Sequence, residues 1–150
     1  VLNIVQKDDP RTGQKGWSFI ERAYNFDSAA GIDYTVDVTK PFGSRIVITS
    51  MADGKPFSMD ETYNVAMTSY RASGGGGLLA EVGIDTDKIA ERTVEYYPEI
   101  REILYEYLKK NRVIDPAVIG DPAKIGHWSF VPEKVAGPAI ERDLELLFGR

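Results

Sequence analysis

The residues best suited to chemistry in this sequence lie in a glycine-rich segment that follows an aromatic side chain. Tyr70 and Arg71 precede four consecutive glycines, Gly74 to Gly77. The ring of Tyr70 could stack on a flat ligand, and glycine backbone adopts conformations that bring it close to such a ligand. No Lys-Ser or Lys-Thr pair follows the glycines, so the segment is not a phosphate-binding P-loop. A mobile loop with a partly buried tyrosine is the alternative, and composition alone leaves both open.

A second aromatic segment, Tyr24-Asn25-Phe26-Asp27, precedes the first predicted strand. Its rings could stack on a heterocycle, while Asn25 and Asp27 could form hydrogen bonds with the edge of that heterocycle. The alternative is that Tyr24 or Phe26 packs in the core before the strand begins, which is the usual outcome for a lone phenylalanine.

Three strand patterns must position these two segments. Apolar and polar residues alternate over Ile32–Val38, which predicts a strand with one buried face. Arg45–Met51 reads as a second strand, and Asp53-Gly54 predicts the turn that ends it. Thr62–Tyr70 alternates as a third strand, whereas the polar residues 8–13 predict a loop.

The third strand pattern predicts where Tyr70 points. Tyr63, Val65 and Met67 share its apolar face, so a simple extension places Tyr70 on the face opposite the core. The amphipathic helix predicted over Pro98–Asn111 supplies the other side of that core. The predicted common core comprises Ile32, Tyr34, Val36, Tyr63, Val65, Met67, Ile103, Leu104 and Tyr107.

The order of the predicted elements indicates an α+β fold, because strands come first along the chain and helices later. A short helix is predicted at Leu78–Val82, a short strand at Trp128–Val131 and a terminal helix at Pro138–Phe148. We expect one domain over residues 1–150, with a mixed, antiparallel-rich sheet packed against helices.

Composition excludes several classes of function. The sequence has 150 residues, no cysteine, one histidine and a net charge of −5. The lack of cysteine excludes thiol catalysis, disulfides and cysteine-based metal sites. The acidic balance argues against duplex nucleic acid as a partner, and no apolar run approaches the roughly 20 residues of a membrane helix. The single histidine, His127, lies beside Trp128 and reads more readily as a structural residue than as a ligand contact.

Several segments together resemble the C-terminal domain of the 5′-nucleotidase family, which includes the bifunctional 2′,3′-cyclic-nucleotide 2′-phosphodiesterase/3′-nucleotidases. Their order and spacing agree with the family over residues 24–77, and the resemblance continues more thinly to the end of the chain. The Tyr24–Asp27 segment and Tyr70-Arg71 are closer to the cyclic-phosphodiesterase branch. The matching segments are Tyr24–Asp27, Gly31–Pro41, Arg45–Val47, Gly54–Phe57, Thr62–Ala66, Tyr70–Gly75 and His127–Pro132.

The resemblance implies a role in binding the substrate. In this family an N-terminal two-metal phosphoesterase domain hydrolyses the ester, and the C-terminal domain holds the base of the nucleotide between two aromatic rings. By position, Tyr70 would be one ring and Phe26 the other, while Asn25 would contact the edge of the base. Gly74 and Gly75 would let the loop pass close to the nucleoside.

The resemblance also implies what this chain does not supply. Gly76 stands where many family members carry an acid that contacts the ribose. The metallophosphoesterase domain and the upstream part of the C-terminal domain are expected outside this chain, in the same polypeptide or in a partner. Divalent metal ions would be held there, because one histidine cannot supply a two-metal site. The chain alone is therefore expected to be inactive, and its family implies a periplasmic or extracellular location.

Two other functions stay open on the sequence. The chain could be a non-catalytic module that binds a nucleoside or nucleotide. It could also be a domain that docks a protein partner, for which exposed helix faces would matter more than Tyr70.

Overall fold

The computed structural model describes residues 4–20, 22–115 and 126–149. Its residues fall into two compact units. Unit 1 takes residues 1–58 and 124–150, and unit 2 takes residues 59–123, so unit 2 is inserted between two parts of unit 1 along the chain. The α+β class predicted from the sequence is confirmed. The assignment of all 150 residues to one domain stays a prediction.

Unit 1 begins with a hairpin that the sequence did not predict. The strands β1 (Ile4–Asp8) and β2 (Lys15–Phe19) pair antiparallel. The polar residues between them form the turn, where Gly13 adopts φ 69° and its N–H donates to the Asp9 carbonyl at 2.8 Å. The loop predicted there is confirmed, and each flanking strand is only five residues long, too short to show a clear alternation.

The centre of unit 1 is a three-stranded mixed sheet. It contains β3 (Ile32–Asp37), β4 (Ile46–Met51) and β5 (Trp128–Val131) in the order β4-β3-β5. The central strand pairs antiparallel with β4, with a shift of register between Asp33 and Tyr34, and parallel with β5. All three strands confirm the patterns predicted from the sequence.

The register of this sheet places its apolar side chains on one face, because directly paired residues point to the same side. Tyr34 in the central strand is only 8% exposed, and it is one of two apolar residues that are buried in the described part of the chain. The residues paired across this face are Ile48, Tyr34 and Trp128 in one row and Ile46, Val36 and Phe130 in the next.

The helices differ greatly in length. Two 3₁₀ turns, Ala23–Asn25 and Thr86–Lys88, accompany them. The α-helices in the described residues are α1 (Ser69–Ala72), α2 (Leu78–Glu81), α3 (Ile89–Arg92), α4 (Ile100–Asn111) and α5 (Glu133–Phe148). In the described ranges, none of them is long and apolar enough to cross a membrane.

The terminal helix α5 packs against β5 and β2 in unit 1. It begins at Glu133, five residues before the start predicted at Pro138, so that boundary is wrong. A proline suits the first turn of a helix, and the prediction used Pro138 as such a start, whereas the structure keeps it inside the helix. Ala136 is completely buried, and its small side chain permits close packing of the helix.

The third strand predicted at Thr62–Tyr70 is wrong. Residues 62–68 have no regular secondary structure, and Ser69 begins helix α1. Thr68 caps this helix, because its hydroxyl accepts a hydrogen bond from the Arg71 N–H at 3.4 Å. Alternation alone indicated a strand, but a strand also needs a paired neighbour, and this segment has none among the described residues.

The predicted common core is wrong in its second half. Val65, Met67, Ile103, Leu104 and Tyr107 are all exposed in the structure. Helix α4 confirms the predicted helix, but none of its residues is buried. The predicted core members of β3 and Tyr63 are at least half-buried.

A first prediction concerns the packing of α5. Replacing Ala136 by Leu should lower the free energy of unfolding by about 1–3 kcal/mol, because three added carbon atoms must enter a fully packed site. Replacing the exposed neighbour Val135 by Leu should change it by less than about 0.5 kcal/mol. Urea denaturation of both variants tests this. Equal unfolding midpoints for the two would contradict the packing of this helix.

Candidate functional site

Tyr70 lies in helix α1 and not on a strand, so the argument from strand parity is wrong. Its side chain is nevertheless 49% exposed. The guanidinium carbon of the next residue, Arg71, lies 5.3 Å from the centroid of the Tyr70 ring. Arg71 also donates from Nη1 to the Gly75 carbonyl at 2.9 Å, which links the helix to the glycine loop. The Arg71 side chain therefore supports both the ring and the loop.

The glycines of the loop are required for two different reasons. Gly74, Gly76 and Gly77 adopt φ values of 91°, 78° and 73°, a region that other residues rarely occupy. Gly75 has no such dihedral angle. A Cβ atom at position 75 would lie 2.5 Å from Cε2 and Cζ of the Tyr70 ring and from the Tyr70 carbonyl oxygen. The missing side chain of Gly75 is what allows the Tyr70 ring to lie against the loop.

Phe26 follows the 3₁₀ turn that ends at Asn25. Its side chain is 60% exposed, so the alternative that Phe26 packs in the core before the strand is wrong. Its ring centroid lies 6.1 Å from that of Trp128, with the planes inclined by 44°. One side of the Phe26 ring is thus supported by the sheet, while much of the ring faces solvent.

The support beneath Phe26 is a cluster of aromatic rings on the sheet. Trp128 stacks on Tyr34 with a centroid distance of 5.9 Å and an interplanar angle of 8°. Phe130 meets Trp128 edge to face at 5.2 Å and 87°. The contact with Tyr34 joins β3 to β5, and both contacts support the Trp128 ring that lies beside Phe26.

A shallow pocket of about 330 Å³ lies on the same strands. Asp27 contributes the only carboxylate among its lining residues, and the isoleucines of β3 and β4 make most of the wall apolar. The pocket is lined by Asp27, Ser28, Ala29, Ile32, Tyr34, Ile46 and Ile48.

The structure divides the predicted site residues between the two units. Asn25 and Phe26 belong to unit 1, whereas Tyr70, Gly74 and Gly75 belong to unit 2. Within unit 2, Tyr70 and Gly75 are in direct contact. The sandwich of a base between the rings of Phe26 and Tyr70 stays a prediction.

Sequence reasoning missed the residues that hold these rings. For Arg71, the signal in the sequence is a cationic residue directly after Tyr70, which suits a contact between cation and ring. Trp128 and Phe130 were assigned to a strand, where their spacing of two already places them on one face. Their contact with Phe26 and Tyr34 depends on the parallel pairing of β5 with β3, which no local pattern shows.

The metal-ligating side chains of the described residues do not form a cluster. Across residues 4–20, 22–115 and 126–149, no three side chains of the metal-ligating types lie close enough together to hold a metal ion. Two carboxylates have pKa values lowered by local contacts, one at the end of β3 and one in the turn after β4. A hydrogen bond from the Thr39 hydroxyl lowers the pKa of Asp37, and a hydrogen bond from Lys55 at 2.6 Å lowers the pKa of Asp53. Both carboxylates thus stay ionised at neutral pH, where neither can donate a proton.

The fold and these features define a class of protein: a small α+β protein that presents supported aromatic rings. The comparisons with known proteins agree. Residues 5–82 match the family described as "5'-nucleotidase, C-terminal domain". The matched range contains both aromatic segments and all four loop glycines. The chain belongs to this family of hydrolase-associated domains.

Two curated relatives are similar over most of the chain. The trifunctional nucleotide phosphoesterase protein YfkN of Bacillus subtilis is 33% identical over 138 residues, which cover 84% of this chain and 8% of that protein. The 2′,3′-cyclic-nucleotide 2′-phosphodiesterase/3′-nucleotidase of Haemophilus influenzae is 29% identical over 148 residues, which cover 86% of this chain and 20% of that protein. The chain thus spans a fifth or less of each relative. No solved structure matches it significantly.

A second prediction follows from the contact between Gly75 and Tyr70. Replacing Gly75 by Ala should displace the Tyr70 ring, because the new methyl group would occupy the space that the ring now fills. We expect changed aromatic chemical shifts for Tyr70 and a lower melting temperature. NMR of the chain with isotopically labelled tyrosine measures the shifts.

Gly77 offers a control in the same loop. Its Cβ position is open, and asparagine tolerates its positive φ better than most residues do. The Gly77→Asn variant should therefore keep the chemical shifts of Tyr70. If Gly75→Ala also leaves them unchanged, the packing of the ring on Gly75 is contradicted.

Proposed function

We propose that this chain is the nucleotide-binding part of a phosphoric-ester hydrolase, of the 5′-nucleotidase or the 2′,3′-cyclic phosphodiesterase/3′-nucleotidase type, and that Phe26 and Tyr70 hold the base of the substrate between them. One observation carries the proposal. Each ring is supported on one side within its own unit and is about half exposed to solvent. A ring held in this way can stack on a base without first losing much conformational freedom.

The neighbouring residues suit the same role. Asn25 precedes Phe26 and carries both a donor and an acceptor, which can bind the polar edge of a base. Gly75 supports the same role by leaving the space in which the Tyr70 ring lies, and the proposal places the nucleoside beside the loop that contains Gly74 and Gly75. Stacking tolerates every base because each has a flat face, so the rings supply affinity and the polar contacts supply selectivity.

The hydrolytic step is assigned to a metallophosphoesterase domain, joined to this chain in the same polypeptide or acting as a partner. The two named relatives are a nucleotide phosphoesterase and a cyclic-nucleotide phosphodiesterase, and both are much longer than this chain. Divalent metal ions and the attacking water would be held by that domain, since the described residues offer no metal-ligating cluster. The complete enzyme would act in nucleotide catabolism, in the periplasm or outside the cell.

A second candidate function is the docking of a protein partner. Helix α4 favours it, because its apolar residues Ile103, Leu104 and Leu108 are exposed along one stripe. In that case substitutions on this stripe would disrupt an assembly, while substitutions at Tyr70 would leave it intact. Variants of the α4 stripe and of Tyr70 therefore distinguish docking of a protein partner from binding of a nucleotide.

A third prediction concerns activity. The isolated chain should release no phosphate from nucleotide esters when Zn²⁺, Mn²⁺ or Mg²⁺ is added, because the two-metal site of the family needs several histidine, aspartate and asparagine ligands and this chain has a single histidine. A phosphate-release assay of the purified chain, with and without a chelator, tests this. Release that depends on metal and disappears with the chelator would show that the chain is itself a catalyst.

A fourth prediction concerns the two rings. In the complete enzyme, Tyr70→Ala and Phe26→Ala should each raise KM about 5- to 150-fold, because stacking of a base on an aromatic ring contributes about 1–3 kcal/mol. Tyr70→Phe keeps the ring and should leave KM close to that of the unchanged enzyme, because stacking uses the flat face of the ring and not its hydroxyl. Steady-state kinetics and melting temperatures are measured on the same variants.

The chain offers a matched control for each ring. Phe42 in unit 1 and Tyr96 in unit 2 are exposed aromatic residues outside the predicted site, and their replacement by alanine should leave KM unchanged. If Phe26→Ala and Tyr70→Ala instead lower only the melting temperature, with KM as in the controls, the rings serve packing and the proposed function fails.

A further inference from the structure

The backbone of Ala29 is held at both of its polar groups by side chains of the sheet. Its N–H donates to the hydroxyl of Tyr34 at 3.2 Å. Its carbonyl oxygen lies 2.7 Å from Nε2 of His127, and because a carbonyl can only accept, Nε2 carries the proton of this bond. Two side chains thus bind the backbone of Ala29 in an exposed segment. They are Tyr34 in β3 and His127, which directly precedes β5.

Those two side chains are themselves joined. The Tyr34 N–H donates to the His127 carbonyl at 3.0 Å, and the two rings meet edge to face with centroids 6.4 Å apart. The hydrogen bond between Tyr34 and His127 and the two bonds to Ala29 link these three residues in a closed cycle of three hydrogen bonds. Tyr34 is also almost fully buried, so these hydrogen bonds are anchored at a buried residue of the central strand.

The same short segment is fastened at its other end by Phe26. The Phe26 ring lies on Trp128, the residue that follows His127. Residues 28–30 between the two fastened points are Ser-Ala-Ala, and all three are exposed. Side chains this small cannot anchor a segment by packing, so the bonds to the Ala29 backbone limit its movement and, with it, the movement of Phe26.

We propose that His127 is a positioning residue: by binding the Ala29 carbonyl, together with the Tyr34 hydroxyl on the Ala29 N–H, it holds Phe26 in place for stacking on the base. This inference rests on the proposed function in assigning Phe26 to the base. His127 itself touches neither substrate nor reacting atoms in this account. It acts through the segment of residues 26–29.

The test uses two substitutions that differ in one hydrogen-bond donor. His127→Gln keeps a donor, because the amide nitrogen of glutamine reaches about as far as Nε2 of histidine. His127→Phe keeps a ring beside Tyr34 and has no donor. Positioning predicts that His127→Phe raises KM about 5- to 10-fold with kcat unchanged, the effect of one lost hydrogen bond, and that His127→Gln restores most of it.

A double variant separates positioning from general stability. If His127 acts only through Phe26, then His127→Phe should raise KM no further when Phe26 is already alanine. If His127 has only a structural role, His127→Phe should raise KM by the same factor whether residue 26 is phenylalanine or alanine. Wild-type KM for the His127→Phe variant, or an equal effect in the Phe26→Ala background, would overturn the inference. The probes are the four 2′,3′-cyclic and the four 5′-nucleoside monophosphates, assayed with the complete enzyme.

A second readout needs no nucleotide, so it keeps the inference testable if the proposed function fails. The full chain has two tryptophans, and Trp17→Phe identifies the indole N–H signal of Trp128 by NMR. That signal senses the Phe26 ring beside it, and Phe26→Ala gives the value for a displaced ring. We expect His127→Phe to move the signal toward that value and His127→Gln to leave it in place. An unchanged signal in His127→Phe would overturn the positioning of Phe26, whereas an unchanged KM in Phe26→Ala would overturn the proposed function alone.

Discussion

Unit 1 depends on one side chain, that of Tyr34 in the central strand of its sheet. The ring is nearly buried and stacks on Trp128 across the parallel pair of strands. Its hydroxyl reaches the backbone of Ala29, outside the sheet. Because a buried tyrosine hydroxyl must find a hydrogen-bond partner, this residue both fills the apolar face and fixes the segment that carries Phe26. Sheet packing and the candidate site are therefore coupled through one residue.

The two candidate rings are held by different physical means. Phe26 is supported by the side-chain cluster of the sheet, through Trp128, whereas Tyr70 is supported by backbone that comes close only because Gly75 has no side chain. Both arrangements leave part of the ring exposed while restricting its movement. If the two rings bind a base as proposed, they gain affinity from preorganisation, because little side-chain freedom is lost when the flat ligand arrives.

The sequence predicted the elements that have strong local signals. The alternation in Ile32–Val38 and the stripe of Pro98–Asn111 both correspond to real elements. Thr62–Tyr70 shows the limit of this reasoning, since the same alternation occurs there without a strand partner, and a threonine cap with a glycine loop instead produces a short helix. The exposed face of α4 shows a second limit, because amphipathic patterning predicts a face that suits burial and does not show what covers it.

The sequence indicates the two aromatic residues of the candidate site, but it does not indicate the residues that hold their rings in place. Tyr70 beside four glycines, and Phe26 within an aromatic segment, are visible in the sequence and in its resemblance to the family. The contact of His127 with Ala29 joins residues 98 positions apart and depends on the pairing of β3 with β5, so no local pattern indicates it.

The central claim is that one base lies between Phe26 and Tyr70. Its most direct test is a crystal structure of the complete enzyme with a bound, uncleaved nucleotide analogue. The account predicts that the two rings stack on opposite faces of the same base, with the phosphate directed to the metallophosphoesterase domain. A base bound away from either ring, in an otherwise intact complex, would contradict it.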